Sequence, residues 1–284
     1  MPIRIPLRLV AVFFALAAAG LAATVIQVGF KDAAEGAAWE EFLRTARIVT
    51  SVQMGGPEAT TRPWKLTLSK GDITRFGLWK DVDLGIEQGG PDRWRFEIAA
   101  YGLDVLLGLG MVPPTIERAF QGRWGSLQLW MGDTENLKAR IARGVDIRED
   151  KREDWNREAY LERAFDSLIA NDDRNVGNIL IGTGESMILI DHSRAFGIEG
   201  PFAKMLVYGA AGMKRATDGT PYPFLKLPRA FVEKLRALNA KSVKEAVKGH
   251  LTGREIQGLL TRRDLILKEI DLLIRERGEA EVLY

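Results

Sequence analysis

One stretch of this chain constrains its fold more than any other. Asn171-Asp-Asp-Arg-Asn-Val-Gly-Asn178 is dense in residues that favour turns over helix or strand. Before it, Trp155 to Ala170 carries apolar residues at helical spacing. After it come two short apolar runs, Asn178 to Ile181 and Met187 to Ile190, around Gly182-Thr-Gly184, which read as strands. The second run ends in Asp191. Asp173 precedes Asn178 by five positions, and Asp191 follows Asn178 by thirteen. Helix, polar loop, hairpin and terminal acid in this order bring oxygen-bearing side chains to one end of a tight hairpin.

Phosphoryl transfer needs an acid near the acceptor hydroxyl and oxygen ligands for a divalent cation. Asp173, Asn178 and Asp191 are of the right types at the right spacing. Asn171-Asp-Asp-Arg-Asn-Val-Gly-Asn-Ile-Leu180 resembles the Asp-Arg-His-x-x-Asn loop of phosphatidylinositol kinases and of secretory-pathway kinases related to the Golgi casein kinase, within the protein kinase-like superfamily. Asp191-His-Ser-Arg-Ala-Phe-Gly197 resembles their metal-binding Asp segment. The resemblance covers roughly residues 48 to 275. It implies an α+β, two-lobed fold, with a small β-rich N-lobe carrying one helix and a mainly helical C-lobe. It also implies ATP and Mg²⁺ or Mn²⁺ as cofactors. Asn178 and Asp191 would hold the metal, and Asp173 would accept or orient the acceptor hydroxyl. Lys80 would contact the nucleotide phosphates and Glu97 would hold Lys80. Gly55, Gly56 and the residues through Thr61 would form the loop over the phosphates. Gln128 and Trp130 would lie on the strand leading to the adenine site. The chain departs from the family pattern at Asn175, where His is usual, and at His192-Ser193, where Phe-Gly is usual. It also lacks a full Gly-x-Gly-x-x-Gly.

The rest of the pattern is compatible with that layout. Ala33 to Val49 reads as a helix. Trp64 to Leu68 and Arg75 to Lys80 read as strands around a turn at Lys70-Gly-Asp72, with Phe76, Leu78 and Lys80 on one face. Pro91 to Leu109 reads as a helix with Ile98, Tyr101, Val105, Leu106 and Leu109 as its stripe. Thr115 to Phe120 and Gly125 to Met131 look like strands. From about Arg229 the chain is helical, and Arg254 to Arg277 is the longest piece. A β-rich first part and a helical second part make an α+β order. The expected divisions are 1–30 as a leader, 31–131 as N-lobe and 132–284 as C-lobe.

Arg4 and Arg8 precede a run from Leu9 to Phe30 with no charged residue. A cationic start, an apolar core and small residues describe a signal peptide, with cleavage after Ala19 or Ala22. The run of about 22 residues is equally long enough for an uncleaved signal anchor. The positive-inside rule then leaves the body on the exoplasmic side, periplasmic or extracellular. A buried helix of a soluble domain is the plain alternative. The absence of cysteine excludes disulfides and thiol nucleophiles, and two histidines cannot build a multi-histidine zinc site. A net charge of +2 with no long basic tract argues against a nucleic-acid partner.

Each candidate residue also has a plainer reading. Asp173 and Asn178 could be turn residues. Asp172 reads as a solvated acid, and Arg174 as a residue that orders its loop by hydrogen bonds. Lys65 and Lys70 compete with Lys80 for the phosphate role. Asp191-His192-Ser193 cannot be a hydrolase triad, because neighbours on a strand point to opposite faces. His250 reads as a surface residue, and Arg262-Arg263 as a solvated face. The expected activity is transfer of phosphoryl from ATP to a hydroxyl of a protein or a lipid headgroup. A membrane-tethered pseudokinase scaffold fits the departures and the scarcity of ATP outside a bacterial cytoplasm. Nucleotidyl transfer on the same fold is a third reading.

Overall fold

The computed structural model describes residues 30, 33–55, 62–85 and 92–284. The leader expected over residues 1–30 lies outside them apart from Phe30, which is buried in the core of the N-terminal region. Among the described residues no helix is long and apolar enough to cross a membrane.

Helix α1 (Ala33–Thr45) leads into strand β1 (Arg47–Gln53), so the helix expected to reach Val49 ends sooner. The β-branched cluster Ile48-Val-Thr50 and Val52 favours an extended chain over a helix. Strands β2 (Trp64–Lys70) and β3 (Ile73–Lys80) form a hairpin on Gly71, whose φ of 58° suits the turn. Short strands β4 (Asp83–Leu84) and β5 (Asp92–Arg93) pair and deliver helix α2 (Trp94–Leu107). Strands β6 (Thr115–Phe120) and β7 (Arg123–Leu129) complete an antiparallel sheet of order β1-β2-β3-β7-β6.

The period of two decides what each face of this sheet does. Leu66, Leu68, Trp79 and Leu127 point to the side of α1, where they pack with Phe42 and Leu43. The Trp79 indole donates to the Arg118 carbonyl at 2.9 Å, so its one polar atom is satisfied. A Cβ on Gly125 would lie 2.3 Å from the Lys80 carbonyl oxygen and 2.7 Å from the Trp79 ring, so only glycine lets the ring cross β7. Lys65, Phe76, Leu78 and Lys80 are left on the opposite face.

The C-terminal region begins with β8 (Glu135–Asn136), α3 (Leu137–Ala142) and α4 (Arg152–Ile169). The hairpin of β9 (Ile179–Ile181) and β10 (Met187–Leu189) follows the turn-rich loop, as the sequence pattern indicates. Helices α5 (Arg229–Ala237), α6 (Ala240–Ala246), α7 (Gly253–Arg277) and α8 (Glu279–Val282) close the chain. A second core joins Phe96, Leu103 and Leu107 of α2 to Phe165 and Leu168 of α4 and to Leu259, Ile266 and Ile270 of α7.

Three expectations about faces are corrected. Helix α2 is buried nearly all round, yet Val105 of the expected stripe is 49% exposed. Arg262 is not solvated: it is buried, donating to the Leu168 and Gly197 carbonyls at 2.9 and 3.0 Å, and burial pushes its guanidinium down to about 10. His250 is buried against the Trp94 ring rather than at the surface. Periodicity marks which side of a helix faces a neighbour, but not how many neighbours it has.

Candidate active site

Lys80 ends β3 on the face left open by the sheet. Its ammonium is 2.6 Å from Glu97 Oε1 on α2 and 2.7 Å from Asp191 Oδ1 beyond β10. Three elements far apart in sequence thus meet at one cation. The second Glu97 oxygen accepts the backbone N–H of His192 at 2.9 Å, so both carboxylate oxygens are engaged. Burial alone would push the Lys80 ammonium down, but Glu97 and Asp191 outweigh it and hold its pKa well above the usual lysine value. Burial would likewise raise Glu97, but Lys80 and His192 outweigh it and keep the carboxylate ionised far below its usual range. Asp191 has a left-handed backbone, φ 61°, which Asp tolerates better than most residues.

Asn175 and Asn178 shape the loop carrying Asp173. Both side-chain amides donate to the Asp173 carbonyl, at 3.1 and 3.3 Å. Asn175 Oδ1 accepts the Gly177 N–H at 2.8 Å. The Asp173 side chain is 41% exposed, with Arg194 at 3.9 Å. Asp172 is exposed, as expected.

Arg174 joins this loop to the hairpin. A guanidinium has five N–H donors, and here there are five contacts. Nε and Nη2 reach the two Asp166 oxygens at 2.8 and 3.1 Å, and Nη1 reaches the carbonyls of Asn178 and Ile190 at 2.9 and 2.6 Å. Nη2 also meets His192 Nε2 at 2.8 Å. Since Arg174 can only donate, Nε2 accepts and the His192 proton is on Nδ1, facing Glu97 Oε2 at 3.7 Å. Burial and then the Arg174 charge hold this histidine neutral, with its pKa lowered. One buried side chain therefore fixes the residues next to Asp173, Asn178 and Asp191 against one another. Behind it, burial and the neighbouring Asp166 push the Glu162 carboxyl well above its usual range, while the Arg174 charge outweighs burial and lowers Asp166.

The donor set fits a divalent cation. With its Nδ2 turned to Asp173, Asn178 keeps Oδ1 for a ligand, and Asp191 is 42% exposed on its side chain. No group of three or more acidic, histidine or cysteine side chains among the described residues forms a cage by itself. One amide and one carboxylate suit Mg²⁺ or Mn²⁺ that takes its other ligands from phosphates and water.

Of the remaining expected residues, Gly55 ends the β1 side of the β1–β2 connection with φ 92°, and Gly56 and Thr61 lie outside the described residues. Gln128 is buried on the open face and donates to Thr115 Oγ1 at 3.0 Å. Trp130 is half-buried, with Lys65 over its ring.

Asp92 is an addition with no signal in the sequence. Burial, then the charge of nearby Asp191, raise its pKa against the opposing pull of Ser193 and Lys80, and its Oδ1 is buried without a hydrogen bond. Only the docking of β5 beside the Ser193 carbonyl, which the Arg93 N–H meets at 2.8 Å, brings it here.

No protein-family model matches the chain, and no curated protein matches it by sequence. Solved structures do. The structure of hydra Fam20 with sugar superposes with a TM-score of 0.59 at 16% identity, over 89% of this chain and 93% of that one. The golgi casein kinase gives 0.58 at 16%, over 90% and 79%. The Helicobacter pylori proinflammatory kinase CtkA gives 0.51 at 12%, over 83% and 96%. The chain has a protein-kinase-like fold related to that of the Golgi casein kinase.

Proposed function

We propose that the chain is an ATP-dependent phosphotransferase acting on a hydroxyl of a protein or a lipid headgroup. The observation that carries this is the convergence of Lys80, Glu97 and Asp191 beside the Asp173–Asn178 loop. The kinases among the structural neighbours support it. Lys80 holds the phosphates and Glu97 holds Lys80. Asn178 and Asp191 hold the metal, which when bound neutralises charge on the transferring phosphoryl group. Asp173 orients the acceptor hydroxyl and takes its proton. The uncharged run from Leu9 to Phe30 supports tethering or export, with the body on the exoplasmic side.

A second reading is a membrane-tethered pseudokinase that serves, without turnover, as a nucleotide-binding or interaction scaffold. Asn175 favours it, since its side chain is committed to the loop backbone at the position where the family has His.

The test is the melting temperature of the full chain with Mn²⁺-ATP or Mg²⁺-ATP, for wild type, Asp191→Ala and Asp173→Ala. Ligand at a hundred times its Kd stabilises the native state by about 2.7 kcal/mol, which is roughly 5–10 °C for a domain near this size. A metal-dependent shift lost in Asp191→Ala supports the nucleotide site. Phosphoryl transfer lost in Asp173→Ala with the shift retained supports the enzyme. A shift with no transfer by wild type supports the scaffold. A folded wild type that shows no shift with either metal refutes the enzyme and favours the interaction scaffold.

A further inference from the structure

The open face of the sheet carries a cation at an unexpected place. Lys65 on β2 is paired in register with Leu78 on β3, so it shares the face of Phe76, Leu78 and Lys80. Strand β7 adds Ser126 opposite Lys80 and Gln128 opposite Leu78, and the Trp130 N–H binds the Phe76 carbonyl at 3.0 Å. This face therefore runs from Lys80 at one end to Phe76 and Trp130 at the other, about 13 Å along the strand. Lys65 lies over that second end. Its ammonium is 4.2 Å from the Trp130 ring centroid and 4.4 Å from that of Phe76. Both contacts are within cation–π range.

We propose that Lys65 is a specificity-determining residue that makes this site prefer a guanine over an adenine nucleotide. The inference rests on the phosphotransferase reading for its phosphate and metal contacts, and adds that the site takes a guanine nucleotide more tightly than the ATP of that reading. If Lys80 takes the phosphates, the base extends along the face toward Trp130 and meets Lys65. An ammonium only donates hydrogen bonds. Guanine offers two neighbouring acceptors, O6 and N7, whereas adenine offers N7 beside an amino donor. A donor-only cation at the base is matched by guanine and partly opposed by the adenine amino group. Phe76 and Trp130 add to this by keeping the ammonium at the base end of the face, away from the phosphates.

The experiment measures Kd for Mn²⁺-GTP and Mn²⁺-ATP on the full chain. Variants Lys65→Met and Lys65→Arg accompany wild type, each with its melting temperature. Wild type should bind the guanine nucleotide about fivefold or more tightly. Lys65→Met keeps the apolar stem and should bring the ratio to one or reverse it. Lys65→Arg keeps a donor-only cation and should retain the preference. Equal or tighter ATP binding by wild type overturns the inference and leaves the phosphotransferase reading standing. So does a ratio unchanged in Lys65→Met, or equal weakening of both nucleotides, which marks Lys65 as a phosphate contact. A folded wild type that binds neither nucleotide overturns the phosphotransferase reading, and the inference with it.

Discussion

Replacing Arg174 by Met keeps most of the apolar volume and removes five donors. The Asp166 carboxylate, 0% exposed, would keep only Asn171 Nδ2 at 3.0 Å and its neighbour Glu162. The Ile190 carbonyl would lose its Arg174 donor, whereas the Asn178 carbonyl would keep the Ile190 N–H at 3.1 Å. Removing one partner of a buried ion pair costs about 3–5 kcal/mol, and the one orphaned carbonyl about 1–3 kcal/mol more. Asp166 can relieve part of this by taking up a proton, so about 4 kcal/mol is expected at pH 7. That is a large share of the 5–15 kcal/mol typical of a domain. Arg174→Lys keeps the charge but loses the planar fork, and should cost about half as much. Adding Asp166→Asn to Arg174→Met removes the stranded charge and should recover at least 1 kcal/mol. Urea midpoints at constant m-value read all three. The reasoning fails if Arg174→Met lies within 1 kcal/mol of wild type, or if the double variant is no more stable than the single one.

Glu162 gives a pH signature. Its folded pKa is raised, so the folded state holds a proton that the unfolded state releases above the ordinary glutamate value of 4.5. Its contribution is fully present below that value and is lost as pH rises toward the folded pKa. Glu162→Gln should therefore flatten the fall of the urea midpoint as pH rises above 4.5; a parallel loss at every pH would refute this. Glu97 behaves oppositely: its lowered pKa gives stability above 4.5 that fades in acid, so Glu97→Gln should flatten the acid limb of the same curve. Because the neutral amide no longer anchors Lys80, the ATP-induced melting shift of that variant should also shrink, and an unchanged shift would count against the Lys80 assignment. Gly125→Ala forces a Cβ against the Lys80 carbonyl and the Trp79 ring, and should lower stability by about 1–3 kcal/mol; a neutral effect in thermal melts would show that Trp79 repacks freely.

The sequence by itself determined the local syntax of this protein. The order of helix, turn-rich loop and hairpin was readable because turn residues and strand alternation are short-range properties. The shared face of Phe76, Leu78 and Lys80 followed from the same period of two. The α+β order followed from where that period gives way to the helical one. Spacing singled out Asn178 and Asp191, and the family resemblance implied Lys80 at a strand end and Glu97 on the next helix.

Only the tertiary structure decided which groups became partners. Lys80 and Asp191 are 111 residues apart in sequence, and no local pattern states that one ammonium bridges Asp191 and Glu97. Arg174 was legible as an ordering residue, but not its engagement of two carbonyls on either side of a hairpin and a buried histidine. Arg262 and His250 looked like surface residues because charge and polarity are the local signals of exposure. Their burial depends on what packs above them. Asp92 carried no signal, since its importance is proximity alone, and Lys65 looked like one competitor among three for a phosphate. Period fixes which way a side chain points, but electrostatics acts through space, and the neighbours across that space are chosen by long-range packing.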